Sequence, residues 1–259
     1  MEHILLTRED HIAVLKINRP GSKNALDGKT YDEFKAAMDE LKRDTRTRAL
    51  IVTGVDNSFC SGIDLAYAGD LRQLSQTEFM SMMKMVQSTF RFESLSIPVI
   101  AAVNGYALGN GCDIALACDF IFAAKSAVFS MAYTNVAMVP DLGGTFRLTK
   151  LVGPSIAKEL ILTGEKFDAE KGHELGIVNR VVPDSDLMKE VMHFAGKLVQ
   201  RSPIALAMAK KAINNSHGNN LDATLDFEAY NQSLCIKSED AKEALNAMLQ
   251  KRKPVFSGK

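Results

Sequence analysis

The sequence predicts one α/β domain built on a parallel sheet, continued by a helical C-terminal third. Three observations predict it. Short, nearly continuous apolar runs at 48–53, 97–103 and 119–124 have the texture of strands buried on both faces. Helical patterns at 76–94 and 112–117 separate them, and strands alternating with helices at this spacing imply parallel pairing through right-handed crossovers. After Gly143-Gly144 the texture is helical almost to the end, broken mainly at 176–183.

Along the chain, residues 3–7 and 11–17 are apolar-rich runs split by Arg8-Glu9-Asp10, an opening hairpin. Asn18-Arg19-Pro20-Gly21 breaks the chain. From Asp27 onward Tyr31, Phe34, Met38 and Leu41 recur at helical spacing. The strand at 48–53 leads to a loop of small residues, Asn57-Ser58-Phe59-Cys60-Ser61-Gly62. The helix at 76–94 places Phe79, Met83, Val86 and Phe90 on one face, for core packing or for a soft, methionine-lined wall against an apolar ligand. The strand at 97–103 runs into Asn104-Gly105-Tyr106-Ala107-Leu108-Gly109-Asn110-Gly111. With no linker or repeat, the division expected is a core at 1–199 and a helical region at 200–259.

The 259 residues are 46% hydrophobic and 24% charged, too apolar for disorder. Lys+Arg and Asp+Glu both number 31, so the chain lacks the basic field that nucleic-acid or membrane-surface binding by bulk attraction needs. No apolar stretch is long enough to span a bilayer, Met1-Glu2-His3 is unlike a signal peptide, and Ser257-Gly258-Lys259 is not a peroxisomal address. Cys60, Cys112, Cys118 and Cys235 lack paired spacing and read as reduced thiols, which makes the cytoplasm the expected location. His3, His11, His173, His193 and His217 form no metal-ligand cluster.

Ligands of open α/β sheets gather at the carboxyl ends of strands, where both glycine-bearing loops are expected. Gly109-Asn110-Gly111 opens a helix, which turns free N–H groups and a positive dipole end into the crevice. Ser61-Gly62 offers another N–H, and two such donors on one oxygen form an oxyanion hole. The alternative is that these glycines only permit tight turns. Asp113, in the first turn of the short helix, is either a dipole-stabilising acid or a catalytic carboxylate. Asp141, ahead of Leu142-Gly143-Gly144-Thr145, is either an N-cap or a second such group. Lys251-Arg252-Lys253 is a solvated tail or a contact for ligand phosphates.

Three segments, Phe59-Cys60-Ser61-Gly62-Ile63-Asp64, the run from Ala101 through Asp113, and Pro140-Asp141-Leu142-Gly143-Gly144-Thr145, occur in the order and intervals of one family. The chain resembles the crotonase superfamily, the enoyl-CoA hydratase/isomerase family, from Ile17-Asn18-Arg19-Pro20 to Lys251-Arg252-Lys253-Pro254. The resemblance implies a spiral of ββα units whose C-terminal helices build trimers, often paired into hexamers. It implies an acyl-CoA thioester as substrate, coenzyme A entering as part of that substrate, with no metal or redox cofactor, no nucleic acid and no membrane. It assigns the oxyanion hole to the backbone N–H groups of Ser61 and Asn110, where the family usually carries Ala and Gly. It places Lys23, Ser61, Gly62, Ile63, Asp64, Leu65, Gly109 and Lys251 along the coenzyme A.

The hydratases of the family use two glutamates. One position holds Asp113 here, and the other, eight residues before Asp141, holds Tyr133, which cannot act as a carboxylate base. Double-bond isomerases of the family carry an Asp at the position of Asp141. Its dehalogenases share that Asp and an aromatic at 133, but their helper His would fall near Phe90. The expectation is therefore proton transfer on an unsaturated acyl-CoA, isomerisation ahead of hydration, with Asp141 as base, Asp113 assisting and Tyr133 donating a hydrogen bond or walling the pocket. A non-catalytic coenzyme A- or RNA-binding protein on the same scaffold is the distant alternative; the balanced charge counts against it.

Overall fold

In the computed structural model, β1 (Ile4–Glu9) and β2 (Ile12–Ile17) pair antiparallel from Ile4↔Ile17 to Glu9↔Ile12, as the alternation of apolar and polar residues predicts. The structure describes residues 1–216 and 218–259; His217 lies outside the described residues. Asp27 caps α1 (Gly28–Arg43), its side chain accepting from Thr30 N–H. β3 (Ala49–Gly54) follows, parallel to β2, and then β4 (Ser58–Cys60), α2 (Leu65–Leu71) and α3 (Gln76–Thr89). β5 (Val99–Val103), β6 (Tyr106–Leu108), α4 (Asn110–Ala117), β7 (Phe120–Ala124), β8 (Val128–Ser130) and α5 (Gly144–Thr163) complete the core sequence.

Among the described residues the main sheet has the order β1-β2-β3-β5-β7, with β10 (Arg180–Val182) on its far edge; from β2 to β10 the neighbours run parallel. Both faces are covered. Ala13, Leu15, Leu50, Val52, Ala101 and Val103 point into a cluster with Phe34, Phe90 and Phe92, while Ile12, Val14, Ile51, Ile100 and Phe122 meet Leu187, Val191 and Ala195 of α7 (Leu187–Val199). That double burial is why the strands read as unbroken apolar runs.

β4, β6 and β8 run parallel in a second, smaller sheet that β9 (Phe167–Asp168) closes antiparallel. Each follows a long strand after a turn, so β3-β4-α2, β5-β6-α4 and β7-β8-α5 repeat one strand–strand–helix unit. The two glycine-bearing loops, expected directly after the long strands, leave the short ones instead, from β4 and β6. Three-residue strands carry no periodicity to read. The helix expected over 76–94 stops at Thr89 and is followed by a 3-10 turn at Phe92–Ser94. Phe90 and Phe92 both pack on Phe34, with ring centroids 4.6 and 6.1 Å away. Residues two apart cannot share a helical face, so the helix has to end for both rings to be buried.

The remaining helices are α6 (Ala169–Glu174), α8 (Pro203–Ser216), α9 (Leu221–Ile236) and α10 (Glu239–Leu249). Lys210 ties α8 to the core through Asp119 Oδ2 at 2.7 Å and the carbonyls of Phe92 and Ile97, each at 2.9 Å. α9 buries only Asn231 among its described residues and leaves Leu221, Leu225, Tyr230, Leu234 and Ile236 exposed. Among the described residues no helix is long and apolar enough to cross a membrane.

Candidate active site

The site forms where the chain leaving β4 meets the start of α4. Gly111 lies directly on the end of β4, where a Cβ would come within 2.1 Å of Cys60 O. Gly62 takes a left-handed φ of 100°, and a Cβ there would meet Leu108 O at 2.9 Å and Asn110 N at 3.8 Å. These contacts bring the two loops side by side.

Their hydrogen bonding reassigns one expected donor. Ser61 N–H donates to Lys23 O at 3.1 Å and Ser61 Oγ to Ser22 O at 3.2 Å, so neither is free for a substrate oxygen. Leu26 N–H donates to Gly62 O at 2.8 Å and Asp64 N–H to Leu26 O at 2.9 Å, a parallel bridge that turns the intervening Ile63 N–H away from Leu26. Ile63 N–H has no acceptor among the described residues. Nor has Asn110 N–H, the first of α4, which lacks an intrahelical acceptor by position. The unspent pair is therefore Ile63 and Asn110. The turn at Gly62 decides which N–H faces the crevice, and the motif alone does not show it.

Asp113, Tyr133 and Asp141 converge beside this pair. Asp113 is fully buried; its Oδ2 accepts from Tyr133 Oη at 2.6 Å and from Leu142 N–H at 3.2 Å. Its Oδ1 has no partner and lies against Gly144, where a Cβ would come within 1.8 Å of it. Only glycine fits there. Asp141 is partly exposed, and its Oδ1 accepts from Asn110 Nδ2 at 2.9 Å. It is not the cap of α5: Gly143 stands at that position, with no side-chain cap bond. The ring of Tyr133 packs near the α4 start, 3.9 Å from where a Gly109 Cβ would be.

Burial pushes both carboxyls up. Asp113 rises to about 6, against the hydrogen bonds from Tyr133 and Leu142 and helped by the charge of Asp141. Asp141 also rises to about 6, against the hydrogen bond from Asn110 and its own backbone. Tyr133 is held well above its ordinary value by burial and then by the two carboxylates, so it stays a neutral donor. Tyr31, from α1, is raised by burial and by Asp141.

The residues expected along coenzyme A are spread wider. Asp64 caps α2 by accepting from Ala66 and Tyr67 N–H, and pairs with Arg19 at 3.1 Å, so its carboxylate is already used. Lys23 is exposed, its ammonium 4.9 Å from the centroid of the Tyr106 ring. Leu65 is exposed, and so is Lys251 beyond α10, while its neighbour Arg252 is held by Glu243. Met83 and Val86 of α3, and Phe90 just beyond it, are buried, whereas Phe79 and Met80 are exposed. Sequence reading missed Gln87 and Arg147, which hold the Asp141 turn: Gln87 Nε2 donates to Asp141 O at 2.9 Å and Arg147 to Leu142 O. Gln87 is exposed on α3, so nothing in the pattern of the helix marks it, and only the tertiary contact with Asp141 shows its part. Among the described residues no three His, Cys, Asp or Glu side chains gather where they would hold a metal ion.

A family model described as enoyl-CoA hydratase/isomerase matches residues 7–259. A crotonyl-CoA hydratase of Syntrophomonas wolfei is 39% identical over 100% of this chain and 99% of its own. A 1,2-epoxyphenylacetyl-CoA isomerase of Escherichia coli is 34% identical over the full length of both. The crystal structure of an enoyl-CoA hydratase from Bacillus anthracis superposes with a TM-score of 0.94 at 34% identity, covering 99% of this chain and 100% of that one.

The raised carboxyls make stability depend on pH. An Asp whose folded value is about 6 keeps its proton on folding where the unfolded chain, near 3.8, has lost it. Its contribution is full below the unfolded value and is lost as pH rises through the folded one. Asp141→Asn removes that loss. Urea unfolding should show the variant gaining on the wild type between pH 4 and 7, by on the order of 2 kcal/mol at neutral pH. A constant difference across that range would contradict the burial assigned to Asp141.

Proposed function

The chain belongs to the enoyl-CoA hydratase/isomerase family, and from that premise we propose that it moves a proton on an unsaturated acyl-CoA thioester, with double-bond isomerisation ahead of hydration. The observation that carries this is the unequal placement of the two carboxyls: Asp141 reaches the crevice, whereas Asp113 is sealed behind Tyr133 and Leu142. Adding water calls for groups that hold and activate it while carbon α is protonated. A double-bond shift needs one base that takes a proton and returns it elsewhere.

With a 3-enoyl-CoA the steps balance as follows. The thioester oxygen accepts from Ile63 and Asn110 N–H. Asp141 takes a proton from carbon α, and the electron pair moves into the conjugated dienolate. The same proton returns from Asp141 to carbon γ, leaving the double bond between carbons α and β. Donors placed where charge develops contribute about 3–4 kcal/mol each, which favours the dienolate over the ground-state carbonyl. Tyr133 keeps a neutral hydroxyl between the carboxyls, and Asp113 orients that hydroxyl and the Asp141 turn. In this account Lys23 and Lys251 meet the coenzyme A phosphates, which are charged and want cations. Hydration of a 2-enoyl-CoA is the second reading, favoured by the relative named a crotonyl-CoA hydratase.

The test sets crotonyl-CoA, a 3-enoyl-CoA and a 3,5-dienoyl-CoA against the purified protein, with products resolved by mass and absorbance. Asp141→Asn should lower kcat on the 3-enoyl substrate by about 10²–10⁴, and Asp113→Asn by less. Faster hydration than isomerisation by the wild type, abolished by Asp113→Asn but not by Asp141→Asn, would overturn the isomerase assignment.

The apolar side chains that α9 leaves exposed, with the unpartnered amide of buried Asn231, favour self-association through the C-terminal helices. We propose a trimer or a dimer of trimers. Sedimentation at micromolar concentration should show one of these, and a stable monomer would refute it.

A further inference from the structure

The side-chain amide of Asn110 is not idle. The residue is 3% exposed, at the first position of α4, and its Nδ2 lies 2.9 Å from Asp141 Oδ1. The same residue offers its backbone N–H to the crevice. Its side chain is therefore fixed at both ends: by the helix start that makes the N–H available and by the carboxylate it contacts.

We propose that the Asn110 side chain is a positioning residue for Asp141, holding Oδ1 in a hydrogen bond so that Oδ2 is the oxygen presented as base. The catalytic half of this inference rests on the acyl-CoA proton transfer proposed above. Two consequences follow from the geometry. A carboxylate tethered at one oxygen cannot rotate to present either, which removes rotational freedom that would otherwise have to be lost at each turnover. An amide donor also favours the charged form, opposing the burial that pushes Asp141 up.

Other groups face Asp141 as well. Tyr133, from the turn before α5, is a neutral donor; Asp113, from α4, is a second carboxyl; Tyr31, from α1, is neutral; Arg147, from α5, is engaged with Glu93, Phe90 O and Leu142 O. Arg147 is the cation among them, and its guanidinium is taken up by those partners. Gln87 donates its amide to the backbone carbonyl of Asp141, whereas Asn110 donates to the carboxylate itself, so removing the Asn110 amide should move the titration of Asp141 upward.

Asn110→Ala and Asn110→Gly keep the backbone N–H and delete the amide. Protein labelled with ¹³C at aspartate carboxyls is titrated without substrate, and the Asp141 signal is identified by its absence in Asp141→Asn. The same variants are assayed on a 3-enoyl-CoA. The expected result is an Asp141 midpoint at least half a unit higher in both variants, with kcat lowered about 10–100-fold and KM changed less than twofold. A midpoint that does not move overturns the inference whatever the activity. A midpoint that moves with kcat unchanged overturns the positioning role. If the midpoint moves and even the wild type leaves acyl-CoA substrates untouched, the tether between Asn110 and Asp141 is upheld and the acyl-CoA assignment is what fails. A single variant that fails to fold leaves the other to give the same reading, since alanine suits a helix start that glycine would loosen.

Discussion

The turn Asp141-Leu142-Gly143 has no regular structure of its own, and hydrogen bonds from three helices hold it in place. Gln87 of α3 donates to Asp141 O, Asn110 of α4 to the Asp141 carboxylate, and Arg147 of α5 to Leu142 O, while Leu142 N–H donates to Asp113 of α4. A partly buried carboxylate on an unsupported loop would swing toward water to recover its hydration. Held from three sides, it stays in the crevice beside Ile63 and Asn110 N–H. The packing of α4 onto β4 through Gly111 and of Gly144 onto Asp113 fixes the same geometry from below.

This arrangement separates two carboxyls that share a charge problem. Both rise to about 6 because both lose water, and the charge of Asp141 adds to the rise of Asp113. The fold resolves this by giving them different jobs. Asp113 is wholly enclosed, bound to Tyr133 and Leu142, and serves as an anchor. Asp141 retains access and an ionisation close to neutral pH, the range in which a general base works well. Tyr133 stands beside both carboxyls and contributes a proton it does not readily lose. The cost is stability at neutral pH, a common trade at sites built for chemistry.

The sequence displays the frame of this design more openly than its details. The runs at 48–53, 97–103 and 119–124 became β3, β5 and β7 because burial on both faces leaves no room for polar residues. The start of α4 at Asn110 was visible in its glycines. The small sheet was not, since β4, β6 and β8 are three residues each and owe their pairing to the long strands before them. The motif does not show which way an N–H points: the N–H of Ser61 is spent on Lys23 O, and the left-handed Gly62 turns Ile63 inward instead. Asp141 resembled a helix cap because it precedes α5, but Gly143 holds that position and frees the carboxylate. The Asn110–Asp141 bond links residues 31 apart, a relation set by tertiary packing alone.

The proposed chemistry turns on Asp141 removing a proton from carbon α of a thioester whose oxygen is held by two backbone N–H groups. Exchange of solvent deuterium into carbon α of butyryl-CoA, followed by proton NMR, tests it without any competing hydration or double-bond shift. The wild type should catalyse exchange, with a rate that climbs as pH passes through about 6 and that collapses in Asp141→Asn. Absence of exchange in the wild type, or exchange that survives in Asp141→Asn, would contradict that chemistry.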